Sequence, residues 1–230
     1  MTQRSILAGT QPTVVIKAGG SVTVKGQDGD LVTAETNGRW GLSLEQRSEA
    51  QIARARAAIG EHVLFDIHFK KPDLTGKNQD EEIIEVQFGG NGEVYVPFDS
   101  TLKIYAGLNI DVQDVHGLVD AYSGLKLTLQ EVRCIDHVSA GGAMTLDCET
   151  MQGDQVEFKA GGDLRFYIHD LTSAHIRVKD IGGYWEAQIG DGEKSVYLKC
   201  GGDATLVTDQ KVEPSPPNYI VGNIERPPAV

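Results

Sequence analysis

The chain has 230 residues, 40% of them hydrophobic, and a formal net charge of −12 at pH 7, so it can bury a core. Its Lys and Arg residues are too few and too scattered for nucleic acid to be its main partner. No apolar stretch approaches the roughly 20 residues that a membrane-spanning helix needs. Residues 1–18 lack the basic and apolar regions of a secretory signal, which predicts a cytoplasmic protein without a membrane span.

Residues 1–36 are predicted to form an N-terminal segment with a first coil of β-strands. The coil is read from three short apolar runs, at 14–16, 21–24 and 31–34.

Residues 37–103 are predicted to form a small α/β insertion. Ser43 and Gln46 have the spacing of a capping box, so a helix is expected over Leu44–Ile59, with Gly60 as its stop. This helix either binds a partner or covers an open end or side of the following array. Alternating apolar residues predict the strands of the insertion at 63–69, 84–88 and 94–96.

Residues 104–209 carry a recurring glycine corner. The corners are at Gly107, Gly124, Gly141, Gly161, Gly182 and Gly201, so the successive steps in the numbering are 17, 17, 20, 21 and 19. Apolar residues alternate on both sides of each corner, as in strands with one buried face, and glycine permits the positive φ of a sharp turn.

These steps predict a small, filled β-solenoid, because a coil of about 20 residues at ~3.3 Å per residue has a perimeter of roughly 65 Å. The alternative is a β-sandwich of hairpins, but two-residue turn signals such as Asn-Gly are scarce in this segment. The solenoid places a set of apolar side chains inward, among them Leu127, Leu146, Phe166 and Leu198.

The motifs Val94-Tyr95-Val96-Pro97 and Leu102-Lys103-Ile104, followed by serial Gly-x-apolar-x-apolar coils, resemble the bacterial adhesin-like β-solenoid domains of unknown function. They resemble the polymer-forming bactofilins more distantly. The resemblance covers about 94–209, with a weaker echo at 14–36, and implies a right-handed β-solenoid. The predicted fold class is therefore all-β, a right-handed β-solenoid of 17–21-residue coils with a small α/β insertion.

The tail, residues 210–230, is proline-rich: it holds Pro214, Pro216, Pro217, Pro227 and Pro228. Such a segment favours an extended chain over a sheet ladder. Its apolar residues around Tyr219 leave two interpretations, docking on this chain or a neighbouring copy, or a linear motif for another partner.

Candidate ligand-binding residues come from aligning the coils on their corner glycines. Because neighbouring coils lie about 4.8 Å apart, Asp147 should adjoin Tyr167 and Glu149 should adjoin His169, with Arg165 in the next column. This set of acid, phenol, imidazole and guanidinium favours glycan binding or acid–base chemistry, whereas its alternative is a solvated polar ladder. Catalytic clefts in solenoids are built from long loops, which these coils lack, so no catalytic residue is predicted.

Neither a metal nor a cofactor is predicted. His116 and His175 share a column but lie three coils, about 14 Å, apart, too far to share one ion. No P-loop, GxSxG or HExxH pattern occurs. An odd count of cysteines (Cys134, Cys148 and Cys200) without a CxxC motif predicts reduced, small buried side chains.

The sequence thus predicts a non-enzymatic structural scaffold that assembles as a homo-oligomer. The alternative is an adhesin-like module that binds a glycan or a protein through the outward polar face.

Overall fold

The computed structural model describes residues 1–38, 41–48, 82–150, 155–170, 175–179, 181–189, 196–201, 204–207 and 223–224. Within these ranges the chain is all-β and contains no helix. Its strands are β1 (Thr2–Leu7), β2 (Thr13–Ala18), β3 (Val22–Gln27), β4 (Leu31–Thr36), β5 (Leu42–Ser48), β6 (Glu82–Phe88), β7 (Gly92–Pro97), β8 (Thr101–Ala106), β9 (Asn109–Gln113), β10 (Leu118–Ser123), β11 (Lys126–Val132), β12 (Cys134–Ala140), β13 (Met144–Thr150), β14 (Gln155–Ala160), β15 (Leu164–Asp170), β16 (His175–Lys179), β17 (Tyr184–Ile189), β18 (Val196–Gly201), β19 (Ala204–Val207) and β20 (Asn223–Ile224).

The strands form two large mixed sheets. Sheet A has the order β1-β4-β7-β3-β9-β11-β13-β15-β17-β18-β20, and sheet B has the order β19-β16-β14-β12-β10-β8-β2-β6-β5. We call a strand of sheet B and the strand of sheet A that follows it a layer. The layers are β2–β3, β6–β7, β8–β9, β10–β11, β12–β13, β14–β15 and β16–β17, and neighbouring layers pair in parallel.

The parallel register follows the spacing of the corner glycines to within one residue as far as β17. Leu127 pairs with Met144, the same step as from Gly124 to Gly141, and Leu164 pairs with Trp185, the same step as from Gly161 to Gly182. The last predicted step differs, because β18 and β19 run antiparallel to β17 and β16. Gly201 consequently lies opposite Tyr184 instead of stacking on Gly182.

The core lies between the two sheets, whose buried side chains form one continuous cluster. Leu127, Leu146 and Phe166 are buried as predicted, while the side chain of Leu198 lies outside the described residues. Trp185 is fully buried and stacks on Phe166 with ring centroids 5.8 Å apart. Alternation along each strand is sufficient to produce this arrangement, because successive side chains point to opposite faces.

Two of the three cysteines have described side chains, and both are buried as predicted. Cys134 and Cys148 are free thiols. Burial, assisted by the nearby charge of Asp147, raises the pKa of Cys148 to about 12, so this thiol stays protonated at neutral pH. Cys200 lies outside the described side chains.

The corner glycines are required for close backbone approach, not for the positive φ expected of them. Among the described glycines only Gly9 and Gly29 have positive φ. A Cβ atom on Gly124 would instead lie 2.1 Å from the carbonyl oxygen of Gly107, and one on Gly141 would lie 2.2 Å from that of Gly124. The same contact, at 2.1–2.4 Å, recurs at Gly107, Gly161 and Gly182.

The N-terminal layer β2–β3 is not the first layer of the stack, although it comes first in the sequence. It lies between layers β6–β7 and β8–β9, with Val14 opposite both Ile84 and Leu102, and Val24 opposite both Val94 and Val112. β4 and β5 then pair antiparallel with β7 and β6 on the far side. The N-terminal strands therefore hold layer β6–β7 from both sides.

The predicted helix over Leu44–Ile59 is wrong for residues 44–48, which belong to strand β5. Leu42 and Leu44 alternate with more exposed side chains and are buried, and β5 pairs with β6 along its whole length. This continuous ladder outweighs the local capping signal. The Ser43 hydroxyl, which would cap a helix, donates a hydrogen bond to Glu45 (2.8 Å). Residues 49–59, the predicted strand at 63–69 and all of the tail except Asn223–Ile224 lie outside the described residues.

An ion cluster ties β2 and β5 to β6. The Glu85 carboxylate accepts hydrogen bonds from Lys17 Nζ at 2.5 Å and Gln87 Nε2 at 2.6 Å, and it lies 3.1 Å from a guanidinium nitrogen of Arg47. Burial acts to raise the pKa of Glu85, but the hydrogen bond and charge of Lys17, with Gln87 and Arg47, outweigh it and lower that pKa.

Replacing Glu85 by Gln should therefore cost about 1–2 kcal/mol of unfolding free energy at pH 7, because Lys17 and Arg47 lose a charged acceptor while staying partly hydrated. A lowered pKa stabilises the fold fully above the ordinary carboxylate value of about 4.3 and loses this contribution as the pH falls through the folded-state pKa. Denaturant unfolding at pH 7 and pH 3 should show the difference from wild type shrinking in acid. Asp30→Asn, in an exposed turn, is the control, and a pH-independent loss in Glu85→Gln would contradict the assignment.

Candidate functional site

The five predicted ligand-binding residues lie together on the outer face of sheet A. Asp147 and Glu149 are on β13, and Arg165, Tyr167 and His169 are on the neighbouring strand β15. They face outward because the residues that alternate with them are buried: Leu146, Cys148, Phe166 and Ile168. Asp147 lies opposite Tyr167 in the register, as predicted.

The imidazole of His169 contacts Asp147, two positions from its predicted neighbour. His169 Nε2 lies 3.0 Å from Asp147 Oδ1, a diagonal contact between adjacent strands. The Tyr167 ring meets the His169 ring edge to face, with centroids 4.2 Å apart at 90°. Asp147, Tyr167 and His169 therefore form one cluster, which we call the Asp147 cluster.

Glu149 and Arg165 belong to separate ion pairs at the borders of this cluster. Glu149 lies beside His169 in the register as predicted, because its neighbours Cys148 and Thr150 pair with Ile168 and Asp170. Its carboxylate accepts a hydrogen bond of 2.8 Å from Arg133 Nε. Arg165 Nε lies 3.7 Å from Glu186 Oε2 on β17. Each of these two pairs joins a guanidinium to a carboxylate, the charge-assisted type of contact.

A pair of acids beside the Asp147 cluster was not found from the sequence. Asp114 and Glu131 follow β9 residue Gln113 and β11 residue Gln130, which are register partners, and both have positive φ, at 55° and 52°. The hydrogen bond between the two carboxyls raises the pKa of Glu131, and the charges of Asp114 and Asp147 act in the same direction. Asp114 and Glu131 are separated by the same number of residues as the corner glycines Gly107 and Gly124. This equal spacing is the sequence feature from which their proximity could have been predicted.

Two stacked tyrosines on the outer face of sheet B were also missed. Tyr105 and Tyr122 are register partners on β8 and β10, and their rings stack with centroids 5.5 Å apart and planes 9° apart. Each stands two positions before a corner glycine in a shared aromatic–small–Gly motif, Tyr-Ala-Gly and Tyr-Ser-Gly. Such a stack adds stability beyond the area that it buries.

The chemistry available on the face of sheet A is polar and largely self-contained. Asp147 and His169 offer a carboxylate and an imidazole in hydrogen-bond contact, a pair that can exchange a proton or bind a hydroxyl group. Within the described ranges, no group of three or more His, Cys, Asp and Glu side chains is arranged to hold a metal ion. The same ranges contain no helix long and apolar enough to cross a membrane.

Alanine at Asp147 or at His169 should change the free energy of unfolding by only about 0.5 kcal/mol, because both side chains are more than a third exposed and surface pairs contribute little. Urea unfolding of each variant measures this change. A loss above about 2 kcal/mol, well beyond the range of exposed substitutions, would mean that the cluster is part of the folding core and not a surface feature.

Comparison with protein-family models, curated proteins and solved structures finds no match to this chain.

Proposed function

We propose that the chain is a non-enzymatic structural scaffold whose layers are the coils of a right-handed β-solenoid, and that it self-assembles. The main support is the strict alternation of strands between two sheets, with parallel partners from β8 to β17 separated by steps like those of the corner glycines. At each corner the chain crosses to the other sheet, and it returns to the first sheet one strand further along. Such a path advances like the coil of a solenoid. The handedness follows from the family resemblance and from the right-handed preference of parallel crossover connections.

The outward charges support a structural role over catalysis. Asp147 with His169, Glu149 with Arg133 and Arg165 with Glu186 each join neighbouring strands or their flanking turns. Such pairs join consecutive layers in the manner of cross-strand pairs. A catalytic carboxylate or imidazole would also need a substrate site within hydrogen-bond reach, and in a solenoid such a cleft is built from long loops, which the close spacing of β13, β14 and β15 along the chain does not provide.

Self-assembly is supported by the strands at the borders of the sheets. In the described part of the chain, β1 and β5 border one end of the two sheets, and β19 and β20 border the other. An edge strand presents backbone donors and acceptors that can pair with another chain. The residues Asn223–Ile224 of the tail pair with β18, so the tail contributes to one of these borders.

Light scattering after size-exclusion chromatography tests the proposal on the full-length chain. We expect a mass of at least twice the 24.9 kDa of one chain. Removal of residues 211–230 should lower the number of chains in the assembly. A strictly monomeric protein at high concentration would contradict self-assembly.

A second candidate is glycan or protein binding by the Asp147 cluster, favoured by the contact of an acid, a phenol and an imidazole on one exposed face. A glycan-array screen of the full chain, followed by calorimetry, tests it. Binding should be lost in His169→Ala and kept in Lys126→Ala, an exposed change elsewhere on sheet A. An array without any binder, or binding that survives His169→Ala, would exclude this cluster as the site.

A further inference from the structure

One edge of the stack carries three large apolar side chains that are exposed. We call it the corner edge, and it consists of the six segments 19–21, 107–109, 124–126, 141–143, 161–163 and 182–184. Leu108 is 43% exposed, Leu125 is 52% exposed and Tyr184 is 66% exposed. Exposed apolar side chains that gather on one surface are typical of an interaction site.

Backbone hydrogen bonds fix the order of these segments. Leu125 N donates to Leu108 O at 2.8 Å, and Gly142 N donates to Leu125 O at 2.7 Å. Leu108 N donates in the same way to Gly20 O at 3.1 Å. The second residues of the segments therefore form one column along the corner edge. In stack order this column reads Gly20, Leu108, Leu125, Gly142, Gly162 and Gly183.

The column is complementary to its own reverse. A half-turn about an axis that passes between Leu125 and Gly142, perpendicular to the stack, places Leu125 of one copy opposite Gly142 of another. The same half-turn places Leu108 opposite Gly162. Each leucine then meets a position without a side chain, where it can contact the backbone. Two parallel edges would instead place each leucine against its own equivalent and hold the glycines apart, so the antiparallel arrangement is the one that closes the contact.

The charges on the corner edge fit the same arrangement. Although the chain has a formal net charge of −12, Lys126 and Asp163 are the only charged residues in the six segments, and their charges are opposite. The cores of protein interfaces are depleted of charge in this way. The half-turn places the exposed Lys126 opposite Ala143 of the other copy, one layer, about 4.8 Å, from the exposed Asp163 of that copy. Each copy therefore offers its cation to a carboxylate of the other.

We infer that the corner edge is a contact between two copies of this chain, which lie side by side and antiparallel about a two-fold axis. This inference deepens the proposed self-assembly and rests on the stacked layers of the scaffold. The contact is lateral, so it leaves the border strands of both sheets available for other contacts.

The size of the corner edge predicts a weak dimer. Its six segments are five steps of ~4.8 Å apart, so it is about 24 Å long, and at each end Tyr184 faces the small residue Ser21 of the other copy. A standard interface of about 800 Å² per partner is roughly 28 Å across in both directions. The corner edge matches this length but is narrower, so we expect a dimer that dissociates on dilution through the micromolar range.

Sedimentation equilibrium of full-length chains, from about 1 μM to about 1 mM, tests the contact. Leu108→Ser and Leu125→Ser should each raise the dissociation constant roughly tenfold or more, because a two-fold contact loses the apolar side chain twice. Leu31→Ser is the matched control, since Leu31 on β4 is as exposed as Leu108, at 43%, but lies away from the corner edge. Its dissociation constant should equal that of the wild type.

Disulfide formation tests the antiparallel arrangement. A chain carrying Lys126→Cys and a chain carrying Ala143→Cys are folded separately, mixed and oxidised, and mass spectrometry identifies the linked cysteines. The two new thiols should link the chains, because the half-turn places them opposite each other. Lys126→Cys mixed with Thr145→Cys is the control, because Thr145 is also exposed on β13 but lies two residues further from the corner. This mixture should give several times less of the linked product, and it contains the same native cysteines.

An assembly whose dissociation constant is unchanged in Leu108→Ser and in Leu125→Ser would overturn the corner-edge contact while leaving self-assembly through other surfaces intact. Equal yields of linked product from the two cysteine mixtures would overturn the antiparallel arrangement. A wild-type chain that remains monomeric at about 1 mM would overturn both this contact and the proposed self-assembly, and would leave the corner edge to a different partner.

Discussion

Replacing Phe166 by Asp should leave a chain that does not fold at 25 °C. Phe166 is only 3% exposed, and its ring lies between those of Phe158 and Trp185, at 5.2 Å and 5.8 Å. The change removes an aromatic side chain, worth about 3–5 kcal/mol in a core, and buries a carboxylate without a partner. The sum is comparable with the whole stability of a typical domain, about 5–15 kcal/mol.

Circular dichroism and urea unfolding measure this effect, and Thr145→Asp is the matched control. Thr145 is exposed on β13 and lies opposite Arg165, so a new carboxylate there meets a guanidinium and water. The control should unfold within about 1 kcal/mol of wild type. A folded Phe166→Asp variant of normal stability would contradict the inward assignment of β15.

Replacing Gly124 by Ala should cost about 3 kcal/mol of unfolding free energy, the upper end of what overpacking between well-packed elements typically costs. The added Cβ would lie 2.1 Å from Gly107 O and 2.9 Å from Gly107 C, so two backbones must move apart. That movement weakens the hydrogen bond from Gly124 N to Ala106 O, now 3.0 Å. The cost is high because a backbone cannot rotate away from the new methyl group as a side chain can.

Gly41→Ala is the control for Gly124→Ala, because nothing lies within 4 Å of the position that its added methyl group would take and its φ is not positive. It should leave stability unchanged or raise it slightly by restricting the unfolded chain. Thermal unfolding of both variants decides the matter, and equal melting temperatures would show that the corner glycines are not in contact.

The alternating pattern predicted the buried face of most strands correctly, because the two-residue period is a local property of the chain. Leu127, Leu146 and Phe166 were assigned inward on this basis and are buried. The same reasoning placed Asp147 opposite Tyr167. It could not predict that His169 contacts Asp147 and that Glu149 contacts Arg133, because such contacts depend on side-chain reach and on competing charges.

The position of the N-terminal layer could not be predicted from spacing. The step from Gly89 to Gly107 is close to that from Gly107 to Gly124, so it fits direct stacking of β6–β7 on β8–β9. The structure instead inserts Gly19 between them, since the carbonyl of Gly89 faces Gly19 and that of Gly19 faces Gly107. The repeat interval shows that β6–β7 and β8–β9 could pair in register. It does not show that they are neighbours, because the layer β2–β3 pairs in register with both.

The helical start expected at residues 44–48 is wrong for a related reason. The capping signal of Ser43 and Gln46 is local, whereas β5 is fixed by pairing with β6, a strand that begins only at Glu82. Leu42 and Leu44 already show the strand alternation, which the helical interpretation did not use.

Hydrogen exchange followed by mass spectrometry on the full-length chain tests the central claim, that β2–β3 is an interior layer. The amides of residues 13–27 should exchange as slowly as those of β8 and β10, because they are hydrogen-bonded between two parallel neighbours in each sheet. The exposed border strand β1 should exchange much faster. Exchange of residues 13–27 at the rate of β1 would show that the N-terminal strands lie outside the stack and would contradict the account.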